Sequence, residues 1–250
     1  MKRSDGVRIP LEPYQQVELS LIRKRTEASI LINLDLDITL LLPFLEKQSV
    51  SLFSYFIYAL NKTVAIHPEM NRFVMHHHLY QHNQFTLSTV IKQNKHEVGN
   101  LSLTKLSLKP TMSLNDIHTL LQNIISEVRN VKGGSSDKML AWMRYLPKSI
   151  LDMGVSSAAF LDRHNLLPSS IIKDDPLHAS CIIANLNSIG LKAPHHYLFN
   201  WGTASLFIVM GKIENSRLPI TFTMDDRIGE GISFGQALET FSQFMEHPNG

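Results

Sequence analysis

Residues 219–231 read Pro-Ile-Thr-Phe-Thr-Met-Asp-Asp-Arg-Ile-Gly-Glu-Gly, and the order of the parts in this stretch decides the fold. A β-type run from Ile220 to Met224 opens into a charged turn at Asp225, Asp226 and Arg227. Behind the turn, Ile232, Phe234, Ala237, Leu238, Phe241, Phe244 and Met245 recur at helical spacing. The order is a strand, a charged turn and a closing helix.

Working outward, the strongest helix is 51–66, with Leu52, Phe53, Phe56, Ile57, Leu60 and Val64 on one face. Ser51 is placed to cap it and Pro68 to stop it. Ile30 to Thr39 alternates as a strand over 30–38, and a helix is expected at 39–48. Residues 1–15 read as an extended arm and 17–29 as a short polar helix or linker. Segments 71–80 and 84–92 suggest a hairpin with His76, His77 and His78 near its turn. Ser113, followed three residues later by Asp116, opens a helix to about Asn130. Gly133-Gly-Ser-Ser136 breaks the chain, after which 137–153 and then 155–166 read as helices. Strands are expected at 179–186, 204–213 and 219–225.

The 250 residues, 44% hydrophobic and 18% charged, suit one globular domain over 1–250. A net charge of only +2 offers no nucleic-acid footprint. No apolar run reaches membrane-spanning length and no leader pattern is visible, so a cytoplasmic protein without a membrane partner is expected. The single cysteine, Cys181, lies in an apolar run and reads as a small buried hydrophobe.

The stretch 219–231 resembles the C-terminal signature of the chloramphenicol acetyltransferase and dihydrolipoamide acyltransferase catalytic domains, a strand leading into Asp-His-Arg-x-x-Asp-Gly. Asp225, Arg227 and Gly231 fit it; Glu230 replaces the aspartate, and Asp226 stands where the family has its catalytic histidine. The segment from Ser51 to Asn71, ending in His-Pro-Glu-Met-Asn, resembles the family's second helix. Cys181 to Gly190 resembles Phe-Thr-Ile-Ser-Asn-Leu-Gly-x-x-Gly, which puts Ala184 at the serine position. The resemblance implies an α/β two-layer sandwich, a mixed sheet covered by helices, without lipoyl or subunit-binding domains. It also implies a homotrimer with active-site clefts between subunits, and an acyl thioester of coenzyme A or of a phosphopantetheine-bearing acyl-carrier protein as substrate.

In that family the histidine is the general base and the serine or threonine hydroxyl donates to the tetrahedral oxyanion. The aspartate four residues after the histidine pairs with an arginine, which makes Arg8, Arg23 or Arg25 the expected partner of Glu230. An ordinary aspartate, with a pKa of about 4, is a weak base for a thiol or alcohol, and the methyl of Ala184 donates nothing. Efficient transfer by the family mechanism is therefore not expected. A local gap would make Ser180 or Ser188 the hydroxyl. Three readings stand: a non-catalytic scaffold or regulatory subunit; an enzyme using Asp226, its pKa raised by burial and by Glu230, as acid or base; and an acyltransferase whose histidine is His195 or His196. His76, His77, His78 and His82 read as a polar hairpin tip before a metal site, and Asp174-Asp175 as a solvated pair.

Overall fold

The computed structural model describes residues 3–92, 101–130 and 147–248. Six strands form the main sheet: β2 (Ser29–Asp37), β5 (Phe85–Lys92), β6 (Leu101–Leu108), β7 (Cys181–Asn185), β8 (Leu206–Met210) and β9 (Arg217–Asp225). Their order is β2-β9-β8-β7-β5-β6, parallel only at β5–β7 and β7–β8, so the sheet is mixed. A second sheet, ordered β1-β4-β3, joins β1 (Gly6–Ile9), β3 (Arg72–Met75) and β4 (His78–His82).

One face of the main sheet is apolar because alternate residues of its strands point the same way. Cys181 and Ile183, Leu206, Ile208 and Met210, and Ile220, Phe222 and Met224 enter one core. Helices α2 (Leu41–Gln48), α3 (Leu52–Ile66), α4 (Leu114–Asn130) and the closing α7 (Gly231–Glu246) contribute to the same core. Phe241 of α7 meets Phe56 edge-on at 5.2 Å and Phe222 at 5.7 Å, which locks helix, helix and sheet together. Ser51 caps α3 through its Oγ, which accepts from Ser54 N at 3.1 Å. Ser113 and Asp116 exchange the two bonds of a capping box at the start of α4. The result is the α/β two-layer sandwich expected, a mixed sheet covered by helices.

Three expectations need correction. The arm is not extended to residue 15: helix α1 spans Pro13–Leu21, started by the fixed φ of its proline. The segments 71–80 and 84–92 are not partners. Residues 72–82 already contain a complete hairpin, with Met75 paired to His78 across His76 and His77, and 85–92 belongs to the main sheet. His76 and His77 sit at φ 48° and 60°, the two positive values a tight two-residue hairpin turn requires. Finally, α5 runs unbroken over Lys148–Arg163 through Gly154, where two helices were expected; the expected helical stretch 137–146 lies outside the described residues. After it, α6 (Ser169–Asp174) leads into β7.

Candidate active site

Strand β9 ends at Asp225, and its backbone is fixed on both sides: Asp225 N donates to Ser205 O and Asp226 N to Ala28 O, both at 2.9 Å. The Asp225 carboxylate is fully buried and takes a bidentate pair from Arg227, Nε to Oδ1 and Nη2 to Oδ2, each 2.8 Å. Arg25 Nε lies 3.4 Å from the same Oδ2. The rest of the Arg25 guanidinium donates to the carbonyls of Phe199, Gly202 and Val74. Gly202 is needed there: its φ of 77° is left-handed, and a side chain would collide with the Leu177 carbonyl. Two buried arginines thus brace one carboxylate at the end of the last strand.

This corrects the expected role of Glu230. Glu230 is exposed at the N-cap of α7 and forms no ion pair among the described residues; the arginine from the chain start goes to Asp225 instead. A carboxylate on a strand whose backbone is pinned is a better partner for a buried arginine than one on a solvated helix cap. Asp226, freed from bracing, is half-buried at the start of a short 3-10 turn (Asp226–Ile228). Burial, and then the charge of Asp225, raise its pKa above the usual carboxylate range. The expected cause, Glu230, plays no part in that shift.

Ala184 is half-buried on β7, against the apolar cluster of Ile182, Leu198, Phe207 and Val209. It pairs with Val209, which pairs with Thr221, so Ala184 stands level with Thr221 and not with Asp226. At about 3.3 Å per residue, Asp226 lies roughly 16 Å further along the strand direction. Within one chain, therefore, the two positions do not meet at a common reacting atom. Ser180 is level with the Asp225 end, but it is buried and its Oγ accepts from Thr86 N at 3.1 Å. Ser188 is exposed and donates to Asn185 O.

His195 and His196 lie exposed in the segment after β7, and no hydrogen bond links either to Asp226. The His196 ring stacks on Phe207 at 4.0 Å, while its Nδ1 contacts Tyr197 O. Cys181 is buried in the core, and desolvation pushes its thiol well up, so it is no nucleophile. Among the described residues no three His, Cys, Asp or Glu side chains gather as a metal would require.

A buried polar network escaped the sequence. His178 is 1% exposed, with Nδ1 2.8 Å from Asp175 Oδ2 and Nε2 3.1 Å from Asp162 Oδ2. Trp201 Nε1 donates to Asp175, and Arg3 pairs with both Asp5 and Asp162. Asp175 is therefore not the solvated residue its charged neighbour Asp174 suggests. Burial disfavours the charged imidazole, yet the hydrogen bonds to Asp162 and Asp175 outweigh it and raise His178 above its ordinary value. The Asp175-x-x-His178 spacing was the available signal.

Among solved structures, the chain is similar to a chloramphenicol acetyltransferase, with TM-score 0.63 and 12% identity over 96% of this chain and 99% of that one. A probable dihydrolipoamide acetyltransferase from Listeria monocytogenes 4b F2365 gives 0.56 and 13% over 98% and 97%. The dihydrolipoamide acetyltransferase of Azotobacter vinelandii, studied for a serine, a histidine and an asparagine of its catalytic mechanism, gives 0.57 and 13% over 96% and 92%. No family model and no curated protein matches the chain. The fold is that of the chloramphenicol acetyltransferase and dihydrolipoamide acetyltransferase catalytic domains.

Proposed function

We propose that this chain is an acyltransferase-fold protein that handles an acyl thioester, bound to coenzyme A or to a carrier protein, in a biosynthetic pathway. Asp226 takes the place of the family base and Ala184 that of the oxyanion donor. The observation that carries the reading is the division of labour between two adjacent carboxylates. Asp225 is held by two arginines, while Asp226 is left unbraced with its pKa raised by burial and by that neighbour. A half-buried carboxyl with a raised pKa is a common candidate for an acid or base.

The separation of Asp226 from Ala184 within a chain supports an active site shared between copies, as in a homotrimer of single-domain subunits. Edge strand β2, bonded among the described residues to β9 alone and exposing Leu31, is the surface suited to such contact. A second reading, a trimeric scaffold without turnover, is favoured by the apolar surroundings of Ala184, which offer an oxyanion no donor.

Calorimetry with acetyl-coenzyme A, together with thiol release in the presence of amine and alcohol acceptors, tests the choice. Thioester binding with turnover near background, and loss of residual turnover in Asp226→Asn, is the expected result. Absence of thioester binding, to coenzyme A and pantetheine forms alike, would leave the scaffold reading. Robust transfer that survives Asp226→Ala would move the chemistry to other residues, His195 and His196 first.

A further inference from the structure

We propose that the cleft between the α1–β2 connection, the β3–β4 turn and the end of α5 binds a phosphate-bearing small molecule. The cleft measures about 460 Å³, within the size range of small-ligand sites. Arg23 and Arg25 line it from the α1–β2 connection, His76 and His77 from the turn, Arg163 from α5, and Arg227 from the end of β9. Lys24 adds a further cation, and no carboxylate lines the cleft.

The charge is not neutralised from behind. Asp225 serves both Arg25 and Arg227, and Glu27 reaches Lys24 only at 3.7 Å on the exposed surface. Arg23 and Arg163 are exposed and have no ion pair among the described residues. Glu18 and Asp226 also act on this region; burial and then Asp226 raise the Glu18 carboxyl, and burial and then Asp225 raise that of Asp226. Arg23, Arg163 and Arg227 thus reach one concavity from three separate segments, and with no carboxylate in its lining the concavity favours an anion.

Arg25 and Arg227 commit their guanidiniums to Asp225 and to backbone carbonyls, which among the described residues leaves Arg23 and Arg163 as the lining arginines with free forks. Arg25 is 5% exposed and its Nε, although near Asp225, forms no hydrogen bond. Burial and the charge of Arg227 both press on its protonated form. A diphosphate or phosphate monoester brings two or more negative charges and several acceptor oxygens, matching planar arginine forks better than a single carboxylate would. The overall charge of only +2 is not the strongly basic balance typical of a nucleic-acid-binding chain. The inference is independent of whether Asp226 turns over a thioester.

Titration of the whole chain with inorganic pyrophosphate at low salt, followed by calorimetry, is the test. Binding near one equivalent is expected, weakened about tenfold by Arg23→Ala and again by Arg163→Ala, as for loss of one charge-assisted contact. Both side chains are exposed, and unchanged melting curves will verify that the variants fold. Lys212→Ala, on a remote exposed lysine, is expected to bind as wild type. Absent binding at millimolar pyrophosphate, equal loss in Lys212→Ala, or insensitivity to both arginine variants would overturn the site. Tighter binding of citrate than of pyrophosphate would overturn its assignment to phosphate.

Discussion

Arg25 and Asp225 meet at 3.4 Å although they come from opposite ends of the chain, and both are buried. The contact ties the segment after α1 to the last strand. Because Arg227 shares the carboxylate, two cations depend on one anion. Asp225→Asn keeps the shape and removes the only carboxylate paired with either arginine among the described residues. A loss of about 3–5 kcal/mol is expected, the usual cost of leaving buried charge uncompensated. Urea denaturation will measure it, and a loss below about 1 kcal/mol would contradict the bracing role.

Asp226→Asn should behave in the opposite way. A carboxyl whose pKa is raised in the folded state costs stability when ionised, and that cost disappears as pH falls through the raised value. The variant is expected to equal or slightly exceed wild type at pH 7, while the two proteins converge in acid. Parallel melts at pH 7 and pH 3.5 check this.

His82 is buried against Phe73 at 4.3 Å, and desolvation pushes its pKa down to about 4. A depressed histidine favours the fold above the unfolded value near 6.5 and loses that contribution as pH falls toward 4. The penalty approaches about 3 kcal/mol at the lower end. His82→Leu should flatten the stability profile between pH 6.5 and 4, and an equally steep profile would show that the acid sensitivity lies elsewhere.

His178 carries the reverse sign. Its raised pKa means that its contribution is fully present below about pH 6.5 and is lost as pH climbs through the folded value. The stability difference between wild type and His178→Gln is therefore expected to shrink on going from pH 6 to pH 9.

At the β3–β4 turn, two non-glycine residues hold positive φ. Replacing them as His76→Asn with His77→Gly should raise stability by about 1 kcal/mol, because left-handed backbone is less costly for those residues. If melting falls instead, the imidazoles contribute more than the turn costs; His77 Nδ1, 2.8 Å from Leu19 O, would then be the first contact to test.

Restoring the family pattern offers a gain-of-function check. Asp226→His with Ala184→Ser should raise thiol release from acetyl-coenzyme A above wild type, since a positioned base contributes about 10²–10⁴ in rate. Asp226→His alone should recover part of that rise. Equal rates for the double variant and Ala184→Ser alone would show that position 226 does not face the acyl group.

The sandwich was legible because its signals were local. Alternation in β9, helical spacing in α7 and the serine caps of α3 and α4 each name their element without reference to the rest of the chain. The errors arose where partners are distant. The 84–92 strand reads as part of the neighbouring hairpin because 101–108 shows no unbroken strand alternation and its other mate, β7, lies about 90 residues away. The family resemblance implies an arginine for Glu230, but buried ion pairs form where the backbone is fixed, and that favours Asp225. Asp175 reads as solvated because a second aspartate precedes it; His178 lies only three residues on, but Asp162 and Trp201 join the network only when the chain folds back. The acidic turn at 225–226 was read as the site; the arginines around it were not read as a group, because they come from three separate segments.

The pairing of β2 with β9 also sets a timetable for folding. Among the described residues, every backbone bond that β2 makes to another strand goes to residues 217–225, so this early strand waits for a late one. At 5–20 residues per second, the roughly 180 residues between them take about 10–40 s to emerge. Through that interval the alternating Ile30, Ile32 and Leu34 have no strand to join. Maturation on the ribosome is therefore limited by long-range closure, and the nascent chain offers an unpaired apolar strand to chaperones, or to copies of itself, until Asp225 arrives.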